Sequence, residues 1–304
     1  MRLLSSWLLL MGFLVCAPAD TRAESIRVPV WSQPGRTLQA EGLSAKIGGE
    51  PVPVIRLLGP GDGLMVLLVL DLVGDLGKIE LAREGLVRAI SDAPPKTHVG
   101  VLRAQGGLKV LLDPTRDRAA LERAIRGFQV SGKPGLLETI EPASNLADSI
   151  LKDAPVRIAV LYVTDSEVDQ YREDFANPVV NESDEGDLSR RFPEGLVRDR
   201  TSRLSAKLTV SQTPIFVVHL RYQTGQLDEA YQSGILQIAA TTGGGAVFCR
   251  SDAEIPGAVE SMLRKIAAHY AVDVQVPPGG SGSVVVSLES ATAGEMDYRS
   301  RYDR

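Results

Sequence analysis

Residues 64–70, Leu64-Met65-Val66-Leu67-Leu68-Val69-Leu70, form an unbroken apolar run that stops at the carboxylate of Asp71. Seven apolar residues without alternation suit a strand buried on both faces, as the centre of a parallel sheet requires. Leu76, Ile79, Ala82, Leu86 and Ala89 then recur at helical spacing, so Asp71 and Asp75 fall in the turn at the strand's carboxyl end. A second apolar run, residues 156–163, also stops at a carboxylate, in Thr164-Asp165-Ser166, and a third covers residues 214–220. Helical patterns at 136–151 and 227–240 separate or follow these runs. The alternation predicts a Rossmann-like, doubly wound α/β fold whose mostly parallel sheet is flanked by helices. In such a sheet two strands deliver Asp71 and Asp165 to one edge, the edge at which ligands bind.

The ends of the chain read differently. Residues 1–15 carry one early positive charge, Arg2, followed by an apolar stretch over 7–15, and Thr21-Arg22-Ala23 offers a cleavage site. This predicts a signal peptide over 1–23, cleavage near Ala23, and an exported mature chain, periplasmic or extracellular. The rival, a lipoprotein anchored at Cys16, places Val15 where a small residue is wanted. No later segment has the length and apolarity of a transmembrane helix, so no integral membrane segment is expected in the mature chain. The net charge of −5, the 5% aromatic content and the absence of a basic block exclude nucleic acid as a partner. Loss of Cys16 with the leader leaves Cys249 as the one thiol, read as a small buried strand residue.

The mature chain divides into an N-terminal β flank at 24–60, an α/β domain at 61–270 and a C-terminal β flank at 271–304. In the first flank, 26–31 alternates as a strand, and 43–47 and 52–58 surround Gly48-Gly49-Glu50 as a hairpin. The late segments 270–276 and 283–288 are strand-like and pair with the early ones in a small β appendage. Within the domain, strands are expected at 99–103 and 108–112, and a helix opens at Thr115-Arg116-Asp117. Pro142 is expected to kink or restart the next helix. Val259, Met262, Leu263, Ile266, Ala267 and Tyr270 mark the clearest amphipathic helix. Residues 167–200 are polar with no sustained period, and read as a flap over the carboxyl edge or an insertion without structure. Asn181-Glu182-Ser183 matches a glycosylation sequon, a three-residue match given no weight.

These landmarks resemble the von Willebrand factor type A domain, in the subgroup of exported bacterial proteins. Asp71 matches the aspartate that opens that family's Asp-x-Ser-x-Ser motif, and Asp165 matches its third loop. Residues 44–54, Thr242-Gly243-Gly244 and the tyrosines Tyr298 and Tyr302 match flanking landmarks. The resemblance implies a metal-ion-dependent adhesion site for magnesium, with Asp71, Asp75 and Asp165 as the ligands here. It also implies a protein partner bound at the carboxyl edge. The site is degenerate: Val73 and Asp75 replace two serines, and Pro134 stands where a threonine is expected. Magnesium wants six oxygens in octahedral array, and neither Val73 nor Pro134 offers a side-chain oxygen.

An enzyme needs a base, a nucleophile or a cofactor loop. No Gly-x-Gly-x-x-Gly, phosphate-binding loop, Gly-x-Ser-x-Gly elbow or His-Glu-x-x-His occurs. His98, His219 and His269 are scattered and read as structural, with His219 nearest the ligand edge. The chain therefore reads as a non-catalytic, adhesion-type interaction module, and not as an enzyme. The alternative is a periplasmic metal-dependent hydrolase using Asp71, Asp75 and Asp165.

Overall fold

The computed structural model describes residues 24–171, 193–278 and 282–304. The expected leader, Cys16, the sequon and the middle of the polar segment lie outside the described residues. Three sheets carry the described residues. The central one has six strands: β5 (Leu64–Asp71), β6 (Thr97–Arg103), β7 (Lys109–Thr115), β8 (Arg157–Thr164), β9 (Ile215–His219) and β10 (Gly245–Phe248). Their spatial order is β10-β9-β8-β5-β6-β7, all parallel except the edge strand β7.

The unbroken apolar run of β5 is explained by its two covered faces. Leu64, Val66, Leu68 and Leu70 pack with Ile79 and Leu86 of α1 (Leu76–Ser91), Leu121 of α2 (Arg118–Arg126), and Val259 and Ile266 of a helix near the domain's end. Leu67 and Val69 point the other way, toward Ile140 and Ala147 of α3 (Leu136–Asp153). The same face meets Val197 and Leu204 of α4 (Pro193–Lys207) and Ile235 of α5 (Gln226–Thr241). The first face is closed by α6 (Ile255–Ala268), which lies along α1. The architecture is the doubly wound α/β fold that strand–helix alternation predicts.

The flanking segments meet in two four-stranded sheets. One has the order β13-β1-β11-β4, from β1 (Ser25–Ser32), β4 (Val54–Leu58), β11 (Tyr270–Gln275) and β13 (Met296–Tyr298). The other has the order β14-β12-β2-β3, from β2 (Leu43–Ile47), β3 (Glu50–Val52), β12 (Ser283–Ser290) and β14 (Arg301–Asp303). Val28 and Val272 from the first sheet share a core with Ala45, Val286 and Tyr302 from the second. Amino- and carboxyl-terminal segments thus complete each other's hydrogen bonds, with β1 against β11 and β2 against β12.

Four local expectations change. Residues 52–58 are not one strand: Pro53, without an N–H to donate, separates β3 from β4, and the two enter different sheets. The helix does not restart at Pro142: α3 runs through it as one helix whose Ile140, Ala143 and Ala147 are buried against the sheet, and tertiary packing outweighs one lost helical bond. Helix α6 ends at Ala268, and Tyr270 opens β11. The polar segment 167–200 is not without structure throughout, because Pro193–Lys207 is helical and buries Val197 and Leu204 beside α5. Its pattern hides in sequence because only a few apolar residues face inward.

Candidate functional site at the carboxyl rim

The parallel register makes Asp71 and Thr164 lateral neighbours at the ends of β5 and β8, and the Asp165 N–H donates to the Asp71 carbonyl at 3.3 Å. The two carboxylates therefore reach a common rim, as their place at strand ends predicts. Their chemical surroundings differ sharply.

Asp71 is fully buried. One carboxylate oxygen accepts the Gly135 N–H at 2.8 Å, and the other accepts the Thr164 hydroxyl at 2.9 Å. Burial lifts its carboxyl to about 6 from the ordinary 3.8, against those two hydrogen bonds and with some help from the Asp165 charge. Gly135 can come this close because it has no side chain: a Cβ there would lie 2.1 Å from the Ala104 carbonyl oxygen. The loop before α3 thus closes over Asp71. Behind it runs a buried series of hydroxyls, Thr164 to Ser166 at 2.7 Å and Ser166 to Tyr231 at 2.9 Å.

Asp165 faces the β5–α1 turn, not the solvent. Its Oδ1 accepts the Val73 N–H at 2.7 Å, and its Oδ2 accepts the N–H groups of Gly74 at 2.8 Å and Asp75 at 3.2 Å. Three successive backbone N–H groups converging on one anion form a nest, reinforced by the amino end of α1. Asp75 caps that helix: its side chain accepts from the N–H groups of Gly77 at 2.9 Å and Lys78 at 3.3 Å. The carboxyl oxygens of the three aspartates are thereby engaged by hydrogen-bond donors of this chain, Asp75 through its Oδ1. Nor do hydroxyls stand in for the missing serines, since position 73 supplies only its N–H. The residues present do not fit an octahedral divalent ion. Among the described residues no group of three or more His, Cys, Asp or Glu side chains has a metal-holding arrangement.

His219, at the end of β9, is buried and neutral in its surroundings. Its Nε2–H donates to the Ser166 carbonyl at 2.8 Å, its Nδ1 accepts the Arg221 N–H at 3.2 Å, and burial holds its pKa below the usual value. Cys249 is buried, with its thiol pushed up to about 11 by desolvation. Neither is poised as a nucleophile or base.

The outer rim carries the exposed groups. Leu76, in the first turn of α1, is 65% exposed, and Tyr222, just beyond β9, is 39% exposed. The Arg250 guanidinium lies 5.0 Å from the Tyr222 ring centroid. Arg250 makes no side-chain ion pair among the described residues, whereas Arg221 pairs with Glu167 and Lys78 pairs with Asp252. Sequence reading missed Tyr222 and Arg250, which lie in separate loops and carry no motif. It also missed Gly135 and the Val73 to Asp75 N–H groups, which act through the backbone; the one written signal is Gly74 in the strand–helix turn.

Fold and rim together define a Rossmann-like α/β domain with an internally satisfied carboxyl edge. No protein-family model matches the chain, and no curated protein matches it. Its fold is similar to that of von Willebrand factor type A domains in solved structures. One is a von Willebrand factor type A protein from Catenulispora acidiphila, with TM-score 0.48 and 12% identity over 94% of this chain and 74% of that one. Another is the vWF domain of the type V pili tip protein Mfa5 from Porphyromonas gingivalis, with TM-score 0.45 and 12% identity over 68% and 95%. A third is proximal thread matrix protein 1 from the mussel byssus, with a zinc occupied MIDAS motif, at TM-score 0.46 and 11% identity over 72% and 49%. The likeness to these structures is one of fold.

Proposed function

We propose that this chain is a non-catalytic, exported interaction module that binds a protein partner at the carboxyl rim of its central sheet. The observation that carries the reading is the exposed set at that rim: Leu76, and Tyr222 stacked under an arginine that has no ion pair among the described residues. Tyrosine and arginine are the residues most often found as binding hot spots, and a ring-held guanidinium loses little freedom on docking. Supporting the non-catalytic half, Asp71, Asp165 and His219 are each held by backbone or hydroxyl groups of the chain, and no nucleophile–base pair occurs among the described residues of the rim. Export rests on the leader-like residues 1–23. No helix among the described residues is long and apolar enough to cross a membrane.

The test is cross-linking capture from envelope extract with the mature protein, the double variant Tyr222→Ala/Arg250→Glu, and a control, Val285→Glu, in the β flank. A partner retained by the wild type and the control, and lost by the double variant, is the expected outcome. Equal capture by all three removes the rim from the interaction. Metal-dependent turnover of ester or phosphate substrates by the same preparation would replace the reading with the hydrolase alternative.

A further inference from the structure

The disagreement between the carboxyl rim and a divalent-ion site is itself informative. We infer that the Asp165 carboxylate, seated in the N–H nest of Val73, Gly74 and Asp75, takes the structural place of an ion, so that the rim is assembled without metal. The functional corollary, metal-independent partner binding, rests on the interaction reading above; the structural half does not.

A cation site gathers carboxylate oxygens around a central positive charge. Here the β5–α1 turn presents the reverse, three N–H dipoles aimed at one point with the positive end of a 16-residue helix behind them. Such a cradle attracts an anion and repels a cation. Asp165 fills it from the neighbouring strand, and is 4% exposed. A Cβ on Gly74 would lie 3.1 Å from Asp165 Oδ2, so a side chain there would crowd the carboxylate it now contacts. An ion drawing on Asp165 would have to compete with three donors that already hold its two oxygens in place.

Asp71 closes the matter on the other side. With no exposed surface, and with one oxygen held by the Gly135 N–H and the other by the Thr164 hydroxyl, it offers no face to an ion shared with a partner. Asp75, the most exposed of the three, caps α1 through Oδ1, and its Oδ2 stands 3.9 Å from Lys78 Nζ, a neighbouring positive charge that disfavours a cation. The carboxylates therefore act as connectors: Asp165 joins the end of β8 to the β5–α1 turn, and Asp71 joins β5 to the loop before α3.

Thermal melting of the mature protein tests this, in EDTA and with magnesium, manganese or zinc, for the wild type, Asp165→Ala and Asp165→Asn. The wild type is expected to melt at one temperature in all conditions. Both variants are expected to melt about 5–10 °C lower in EDTA, because donors of the turn lose their acceptor. Added acetate or formate is expected to raise the melting temperature of Asp165→Ala by refilling the nest, and to leave the wild type unchanged. A metal ligand would give the opposite record: ion-dependent stabilisation of the wild type, and variants that match it in EDTA but ignore metal. If Asp165→Ala does not fold, hydrogen exchange at the amides of Val73, Gly74 and Asp75 in the wild type decides. Protection that is equal in EDTA and in magnesium upholds the inference; protection gained only with an ion overturns it. Partner capture in EDTA is scored separately: a cleanly metal-free rim with no partner would sink the interaction reading alone.

Discussion

Asp71 is an acid kept in a place that penalises its charge. Its folded value of about 6 lies above the ordinary 3.8, so between those limits the folded chain holds a proton that the unfolded chain has released. Stability from this group is fully present below about pH 4 and is lost as pH rises through about 6; the total is about 3 kcal/mol. His269 has the opposite sign, since burial lowers it to about 3, and its contribution is lost as pH falls from about 6.5 toward 3. The difference between wild type and Asp71→Asn isolates the carboxylate. Urea midpoints of the wild type are expected to decline relative to the variant from pH 4 to pH 6, and a constant offset across that range would show that Asp71 does not titrate there.

At the scale of elements, the rim depends on how closely the loop before α3 approaches β6. Gly135→Ala places a methyl group against the Ala104 carbonyl and moves the N–H that meets Asp71. It is expected to cost about 2–3 kcal/mol, read as a lowered urea midpoint with an unchanged slope. Helix caps give a milder contrast. Asp117 caps α2 by accepting from the Ala119 and Ala120 N–H groups, and Asp117→Ala is expected to cost about 1 kcal/mol in the same measurement. Should the two variants cost the same, the loop before α3 is not clamped as its geometry implies. Both aspartate caps, Asp75 and Asp117, were readable in sequence as carboxylates directly before helical patterns. Gly135 was not, because its role is to be absent where Ala104 comes near.

Across the molecule, Arg157 ties the β flanks to the α/β domain. It begins β8 fully buried, and its guanidinium donates to the carbonyls of Ala267 and His269 at 2.8 and 2.7 Å and of Pro60 and Asp62 at 3.1 and 3.2 Å. Pro60 and Asp62 lie between β4 and β5, His269 between α6 and β11, and Ala267 in the last turn of α6. Beside it Arg27 of β1 pairs with Asp273 of β11 at 2.6 Å and donates to the Val156 carbonyl, also at 2.6 Å. Burial lowers the Arg157 pKa to about 10, well above neutral pH, so it stays charged. Arg157→Leu is expected to cost about 3 kcal/mol by orphaning the carbonyls, and Arg157→Lys to recover only part, since an ammonium cannot span four acceptors. Calorimetry reads the result: a single lowered transition for a clamp within one cooperative unit, or separate transitions if the flanks and domain come apart.

The sequence by itself determined the buried central strands β5, β8 and β9 and the edge at which the aspartates emerge, because continuous apolar runs and helical periods are local patterns. It also carried the strand-like character of both flanks. Only the tertiary structure decided what those aspartates do. Whether a carboxylate meets a cation or a row of N–H groups depends on backbone directions in a neighbouring strand–helix turn, and residue types do not encode these one by one. The same reason hid the helix at Pro193–Lys207, whose few buried side chains acquire meaning only against α5, and the pairing of Tyr222 with Arg250 across two loops.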